Sequence, residues 1–129
     1  MLKRFDPATI APPFGNYSHG VVIPAGMRVL HVSGQVGVAP DGSIPDAPEE
    51  QCRLAFSNVL GVLAGDGMGP EDLVAITTYA VAGQDLLPVR KIRREVLGDV
   101  KPASTFLFVS GLADPRLLIE VQAVAAKAG

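Results

Sequence analysis

One cysteine, Cys52, stands in 129 residues, so no internal disulfide can form and no cysteine-based metal centre can be built. A secreted scaffold stapled by disulfides is excluded. Charge is scarce as well: Asp, Glu, Lys and Arg make up 19% of the chain and sum to −2, which leaves no clustered basic footprint for phosphates. RNA and DNA are therefore poor first candidates as partners. The opening residues MLKRFDPATIAPPFG contain no apolar leader segment, and no later run approaches the roughly 20 apolar residues that cross a bilayer. The expectation is a cytoplasmic protein with no membrane partner. HExxH and G-x-S-x-G are missing too. His19 and His31 have no further ligands at metal-site spacing, so no metal is expected, and Ser104 and Ser110 lack a nucleophile elbow.

What is present points to one domain over residues 1–129, long enough to bury roughly two-thirds of the unfolded chain's surface. A hydrophobic content of 48% is high for a lone small domain. Part of that surface calls for a partner, and self-association is the simplest form of it.

Pro7, Pro12, Pro13 and Gly15 make residues 1–16 an irregular arm. Tyr17 to Ile23 and Arg28 to Ser33 are short β-like runs around the turn Pro24-Ala25-Gly26, which predicts a hairpin. Asp46, three residues before Glu49, is the expected cap of a first helix running to about Ala64. Its stripe of Cys52, Ala55, Phe56, Val59, Val62 and Leu63 suits packing on a sheet. Asp72 to Val81, apolar on both faces, reads as a central strand. Asp85 is the expected cap of a second helix through about Leu97, with Pro88 in its first turn and Gly98 as its stop. Two final strands, Ala103 to Val109 and Leu117 to Ala126, complete the order β-β-α-β-α-β-β. Two helices cover only one face of such a five-stranded sheet, and the other face needs a partner.

Glu120 interrupts the last apolar run, and alternation puts it with Leu118, Gln122 and Val124 on one face. A carboxylate there is paired, edge-exposed or used. Four stretches surround it in meaning: Gly15-Asn16-Tyr17-Ser18-His19, Val32-Ser33-Gly34-Gln35, Pro102-Ala103-Ser104-Thr105, and Ile119-Glu120-Val121-Gln122-Ala123-Val124-Ala125. In order and spacing they resemble the signatures of the Rid (YjgF/YER057c/UK114) family, across nearly the whole chain. The family pattern has an arginine after Pro-Ala, and here that position is Ser104.

The resemblance implies an α+β sandwich similar to chorismate mutase, whose members form homotrimers with the sheets packed into a central barrel. It also implies a small-molecule ligand in clefts between subunits, with no cofactor. In the best-known branch the activity is hydrolysis of enamines and imines, such as 2-aminoacrylate, to keto acids and ammonia. There the arginine holds the substrate carboxylate, and the glutamate of the last strand serves water and proton traffic. Planar pairing with two oxygens is what suits arginine to that task, and serine cannot supply it.

Carried over position by position, the resemblance leaves two readings for each residue. Glu120 is either a general acid/base or a strand-edge carboxylate bonded to backbone or lysine. Tyr17 either closes over a substrate or anchors the arm. Ser33 and Gly34 present polar groups to a ligand or simply turn the chain. Ser104 and Thr105 offer neutral hydrogen bonds if the ligand lacks a carboxylate. Arg90, on the second helix, either lies on a solvated face or approaches the space the missing arginine would have served. Enzyme and ligand-binding trimer without chemistry both remain open. The endoribonuclease activity attributed to some relatives conflicts with the acidic balance.

Overall fold

The stripe read on the first helix, apart from the half-buried Val62, is buried in the computed structural model, which describes residues 1–83 and 88–129. Helix α1, Pro48–Gly65, turns Cys52, Ala55, Phe56, Val59 and Leu63 completely inward. It packs on a four-stranded sheet of β3 (Arg28–Val36), β6 (Ile119–Lys127), β4 (Leu73–Val81) and β5 (Ala103–Val109), in that spatial order. Helix α2, Val89–Leu97, lies beside α1 and buries Val89, Ile92 and Leu97. The core thus sits between one sheet face and two helices: Ile119, Val121, Ala123 and Ala125 of β6 and Ile76 of β4 meet Phe56, Val59 and Leu63.

The sheet has four strands rather than the expected five. The turn at Pro24-Ala25-Gly26 forms, with Gly26 at φ 88°, but the runs on either side of it do not pair. Instead β2 (Gly20–Val22) pairs antiparallel with β1 (Lys3–Phe5), inside the segment read as an irregular arm, and β3 pairs with β6. The prolines of the arm begin at residue 7, so they leave Lys3–Phe5 free to form a ladder. Arg4 ties this ribbon to the main domain by donating to the carbonyls of Glu71 and Leu73, at 3.1 and 3.2 Å.

Asp46 is not the cap of α1. Ala47 holds that position with no side-chain hydrogen bond, at φ −69° and ψ 120°. That extended conformation is what a following proline imposes, and Pro48 therefore fixes the helix start one residue later than a capping Asp46 requires. Asp85 lies outside the described residues, and Pro88 stands at the N-cap of α2 rather than in its first turn. Gly98 ends α2 as expected, at φ 78°, donating to the Arg94 carbonyl.

Gln51 shows how the sheet and α1 are locked together. It is buried, its amide donates to the carbonyls of Pro45 and Arg116, and its oxygen accepts from the Leu118 N–H, all at 2.8 to 2.9 Å. Gly37 faces it so closely that a Cβ there would come within 2.6 Å of Gln51 Cα. The result is a fixed start for β6, one residue before Ile119 and two before Glu120.

Candidate functional site

The register of the sheet decides which candidate residues share a face. Glu120 is opposite Tyr79 of β4 on one side and Val36 of β3 on the other. Gln122 is opposite Thr77, which in turn pairs with Thr105 of β5. These side chains project from the face that carries no helix, because their neighbours in sequence, Val121, Ala123, Ile76 and Thr78, are the buried ones. The uncovered face therefore bears a polar patch of Glu120, Gln122, Tyr79, Thr77 and Thr105. Tyr79 Oη donates to Gln122 Oε1 at 3.0 Å.

The register between β3 and β6 slips between Val32 and Gln35, so Ser33 and Gly34 form a bulge beside Glu120. The glutamate lies directly over Gly34. A Cβ at position 34 would overlap its Oε2 and stand 2.7 Å from its Cδ. Among the described residues no group hydrogen-bonds or ion-pairs with the Glu120 carboxylate, whereas Glu95, Asp66, Asp99 and Asp114 are all ion-paired. Among the described residues Glu120 has neither of the partners, backbone or lysine, that one reading of the sequence allowed.

A second group gathers where the arm meets the start of β5. Ser18 forms a parallel bridge with Ala103, its N–H donating to the Pro102 carbonyl at 3.0 Å and its buried hydroxyl to that of Lys101 at 2.7 Å. Tyr17, one residue before it, stands edge-on to both Phe14 and His19. Ser104 Oγ accepts a hydrogen bond of 2.9 Å from Arg93 Nη1, and Arg93 Nη2 donates to the Asn16 carbonyl at 2.8 Å. Asn16 also donates from its amide to Asp99, at 3.3 Å. Arg90 is exposed, one turn before Arg93 on α2. The guanidinium that reaches Ser104 belongs to Arg93. Burial lowers the pKa of Arg93, with a further push from the like charge of Arg90.

Ser104 pairs with Ile76, so it faces the helices while Thr105 and Glu120 face away from them. Two strand spacings and three residues of register put Ser104 and Glu120 roughly 14 Å apart across the sheet. A shallow depression lined by Arg4, Pro70, Glu71, Leu97, Asp99 and Lys101 contains none of the candidate residues. The candidate residues therefore form two half-sites, one on each side of the sheet. Sequence reading missed Tyr79, Thr77 and Arg93. Alternation from Glu120 identified Gln122 as its neighbour, but only the strand pairing adds Tyr79.

Cys52 belongs to the core stripe and to neither half-site, and burial pushes its thiol up to about 12. Among the described residues no helix is long and apolar enough to cross a membrane.

The model of a protein family described as Endoribonuclease L-PSP matches residues 8–127. A RutC family protein of Pyrococcus horikoshii is 31% identical over 117 residues, covering 89% of this chain and 90% of that protein. Escherichia coli TdcF, named as a candidate reactive intermediate deaminase, is 26% identical over 129 residues, covering 95% of this chain and 98% of its own. The crystal structure of YyfB from Yersinia pestis, a Rid-family protein of unknown function, superposes with a TM-score of 0.85 at 32% identity, over 98% of both chains.

Proposed function

The chain belongs to the Rid family, and from that premise we propose that it is a cytoplasmic homotrimer that binds a small molecule in clefts between subunits and hydrolyses an imine or enamine there to a carbonyl compound and ammonia. The observation that carries this reading is Glu120, a carboxylate at the second position of β6, on the uncovered face, lying over a glycine with no hydrogen-bond partner among the described residues. Leaving such a group unpartnered suits a carboxylate that works on water rather than one that holds the fold.

Assembly is supported by two features of the exposed surface. Among the described residues no helix covers the second sheet face, and the edge strand β5 leaves Phe106, Leu107 and Phe108 exposed at 43%, 46% and 59%. Covering half-exposed side chains of this size is worth about 1 kcal/mol each, and an open apolar edge strand is otherwise a route to uncontrolled pairing. A boundary between copies also lets the two half-sites line one cleft, which a single chain does not allow.

In the proposed reaction Glu120 accepts a proton from water as the water oxygen bonds to the imine carbon. The C=N electron pair moves to nitrogen, which then receives that proton. In the second half the hydroxyl proton passes through the same carboxylate to the amino nitrogen, the C–N bond breaks, and ammonia leaves as the carbonyl forms. An enamine enters this sequence after protonation at carbon. Ser33 and the Gly34 backbone flank the carboxylate, the Thr105 hydroxyl lies on the same face, and Tyr17 stands with Ser104 at the other half-site.

The second reading is a trimer that binds a small molecule without turning it over, and Ser104 in place of the family's arginine is what favours it. Hydrolysis of 2-iminopropionate, generated in situ, separates the two. The expected result is acceleration by the wild type and a loss on the order of 10²-fold or more in Glu120→Gln. Binding without acceleration gives the second reading. The endoribonuclease description of the family model finds no support in a charge of −2.

A further inference from the structure

We infer that Arg93 is the residue that holds the carboxylate of this protein's ligand, reaching from helix α2 to the place where Ser104 stands. Four of the chain's arginines, Arg28, Arg53, Arg94 and Arg116, are ion-paired with carboxylates at 2.7 to 3.2 Å. Arg93 is not. Its two recorded partners are neutral, the Ser104 hydroxyl and the Asn16 carbonyl, and among the described residues no carboxylate pairs with it.

A partly buried cation with neutral partners on one side and a like charge nearby is an unbalanced arrangement. Burial and Arg90 both disfavour its charge, yet the two hydrogen bonds hold the guanidinium plane in one place, bridging α2, the arm and β5. A guanidinium has five N–H donors, and two are engaged here, so three remain for an acceptor with two oxygens. Ser104 supports this geometry: its small side chain leaves room for Arg93 and gives it an acceptor, where a second guanidinium would repel it. The charge that the family resemblance implies at position 104 of the strand arrives here from the helix.

The inference deepens the proposed function and rests on it for the substrate class, a small 2-imino acid. The test uses the full-length protein with two readouts: KM and kcat for 2-iminopropionate, and binding of pyruvate against its neutral amide, pyruvamide. Arg93→Gln should raise KM for 2-iminopropionate and Kd for pyruvate about ten- to a hundred-fold, with kcat changed far less and pyruvamide binding unaltered. Arg93→Lys, which keeps the charge but not the planar fork, should fall between. The swap Ser104→Arg with Arg93→Gln should recover most of the lost pyruvate affinity, which a merely structural role for Arg93 would not allow. Circular dichroism and native mass establish that each variant is folded and assembled, and if Arg93→Gln is not, Arg93→Lys and the swap decide.

Wild-type turnover with unchanged KM and pyruvate affinity in the Arg93 variants overturns this inference and leaves the deaminase reading standing. Pyruvate binding that depends on Arg93, without any turnover, upholds the inference and overturns the deaminase reading. Neither turnover nor pyruvate binding overturns both.

Discussion

Replacing Gly34 with alanine tests the seat of Glu120 without touching Glu120. Gly34 lies outside the left-handed region, so its backbone accepts alanine. The added Cβ would overlap Oε2 and lie 2.7 Å from Cδ and 3.0 Å from Cγ. Since ordinary contacts begin well beyond these distances, the carboxylate must swing by about 1 Å or more, a displacement that costs about 10²-fold in rate for a group that acts on the reacting atoms. Stability should hardly change. The displaced side chain gives up no hydrogen bond, an off-rotamer setting costs about 0.5–1.5 kcal/mol, and alanine returns about 0.4–1 kcal/mol by restricting the unfolded chain. The expected outcome is a net change within about 1 kcal/mol in urea unfolding at fixed protein concentration, with turnover of 2-iminopropionate reduced to near that of Glu120→Gln. Gly37→Ala is the contrasting control. Its Cβ would meet the Gln51 backbone, at 2.6 Å from Cα and 2.8 Å from the carbonyl oxygen, which cannot rotate away, so about 1–3 kcal/mol of stability should be lost. Full turnover by Gly34→Ala would refute a catalytic Glu120, and a loss near 3 kcal/mol would make Glu120 a structural residue.

Sedimentation at low micromolar concentration should give three chains of 13.4 kDa each, and a folded monomer would refute the proposed use of the uncovered sheet face. Gln51→Ala leaves the carbonyls of Pro45 and Arg116 and the Leu118 N–H without their partner; at about 1 kcal/mol for each hydrogen bond the variant should lose roughly 3 kcal/mol in urea unfolding, and a loss below 1 would show that water replaces the amide. Cys52, with its thiol pushed up to about 12 by burial, should resist a thiol reagent at pH 8 in the native protein and react at once in denaturant. Arg116 holds the half-exposed Asp114 carboxyl down to about 2. A depressed folded-state value contributes stability above the unfolded value of 3.8 that is lost as pH falls towards 2, so the wild type should be more stable than Asp114→Asn above about pH 4, and the two should converge as pH falls to 2 in acid unfolding.

What the sequence made legible was local. The α1 stripe, the turn at Gly26, the stop at Gly98 and the four long strands β3, β4, β5 and β6 each follow from periodicity or from a residue with a fixed conformational demand. Pairing was not legible, because nothing near Lys3 announces β2 and nothing near Arg28 announces that the last strand, about a hundred residues on, will lie beside it. The hairpin expectation failed for that reason: the turn formed, and its two arms found better partners. The cap of α1 failed by one residue because Pro48 sets the conformation of the residue before it, and that constraint outweighed the oxygen of Asp46.

The site divides along the same line. Glu120 and Gly34 could be named from their motifs, yet that the glycine exists to seat the glutamate is a fact of the β3–β6 register, with its slip between Val32 and Gln35. That a serine stands at position 104, where the family resemblance implies an arginine, was visible, and so was a helix with four basic residues, but which of these reaches Ser104 depends on which turn of α2 stands beside it. Arg90 and Arg93 differ by three residues, close to one turn, and so share a helix face. What separates them is position along the axis: the arm is fastened to β5 by Ser18, and this sets the Asn16 carbonyl and the Ser104 hydroxyl together opposite Arg93. The irregular segment that carries the least pattern in the sequence is thus the one that selects the arginine. It follows that cutting the tie, by Ser18→Ala, should loosen the hold on Arg93 and weaken pyruvate binding while leaving the Glu120 seat intact. Unaltered pyruvate affinity in that variant would show that α2 alone positions the guanidinium.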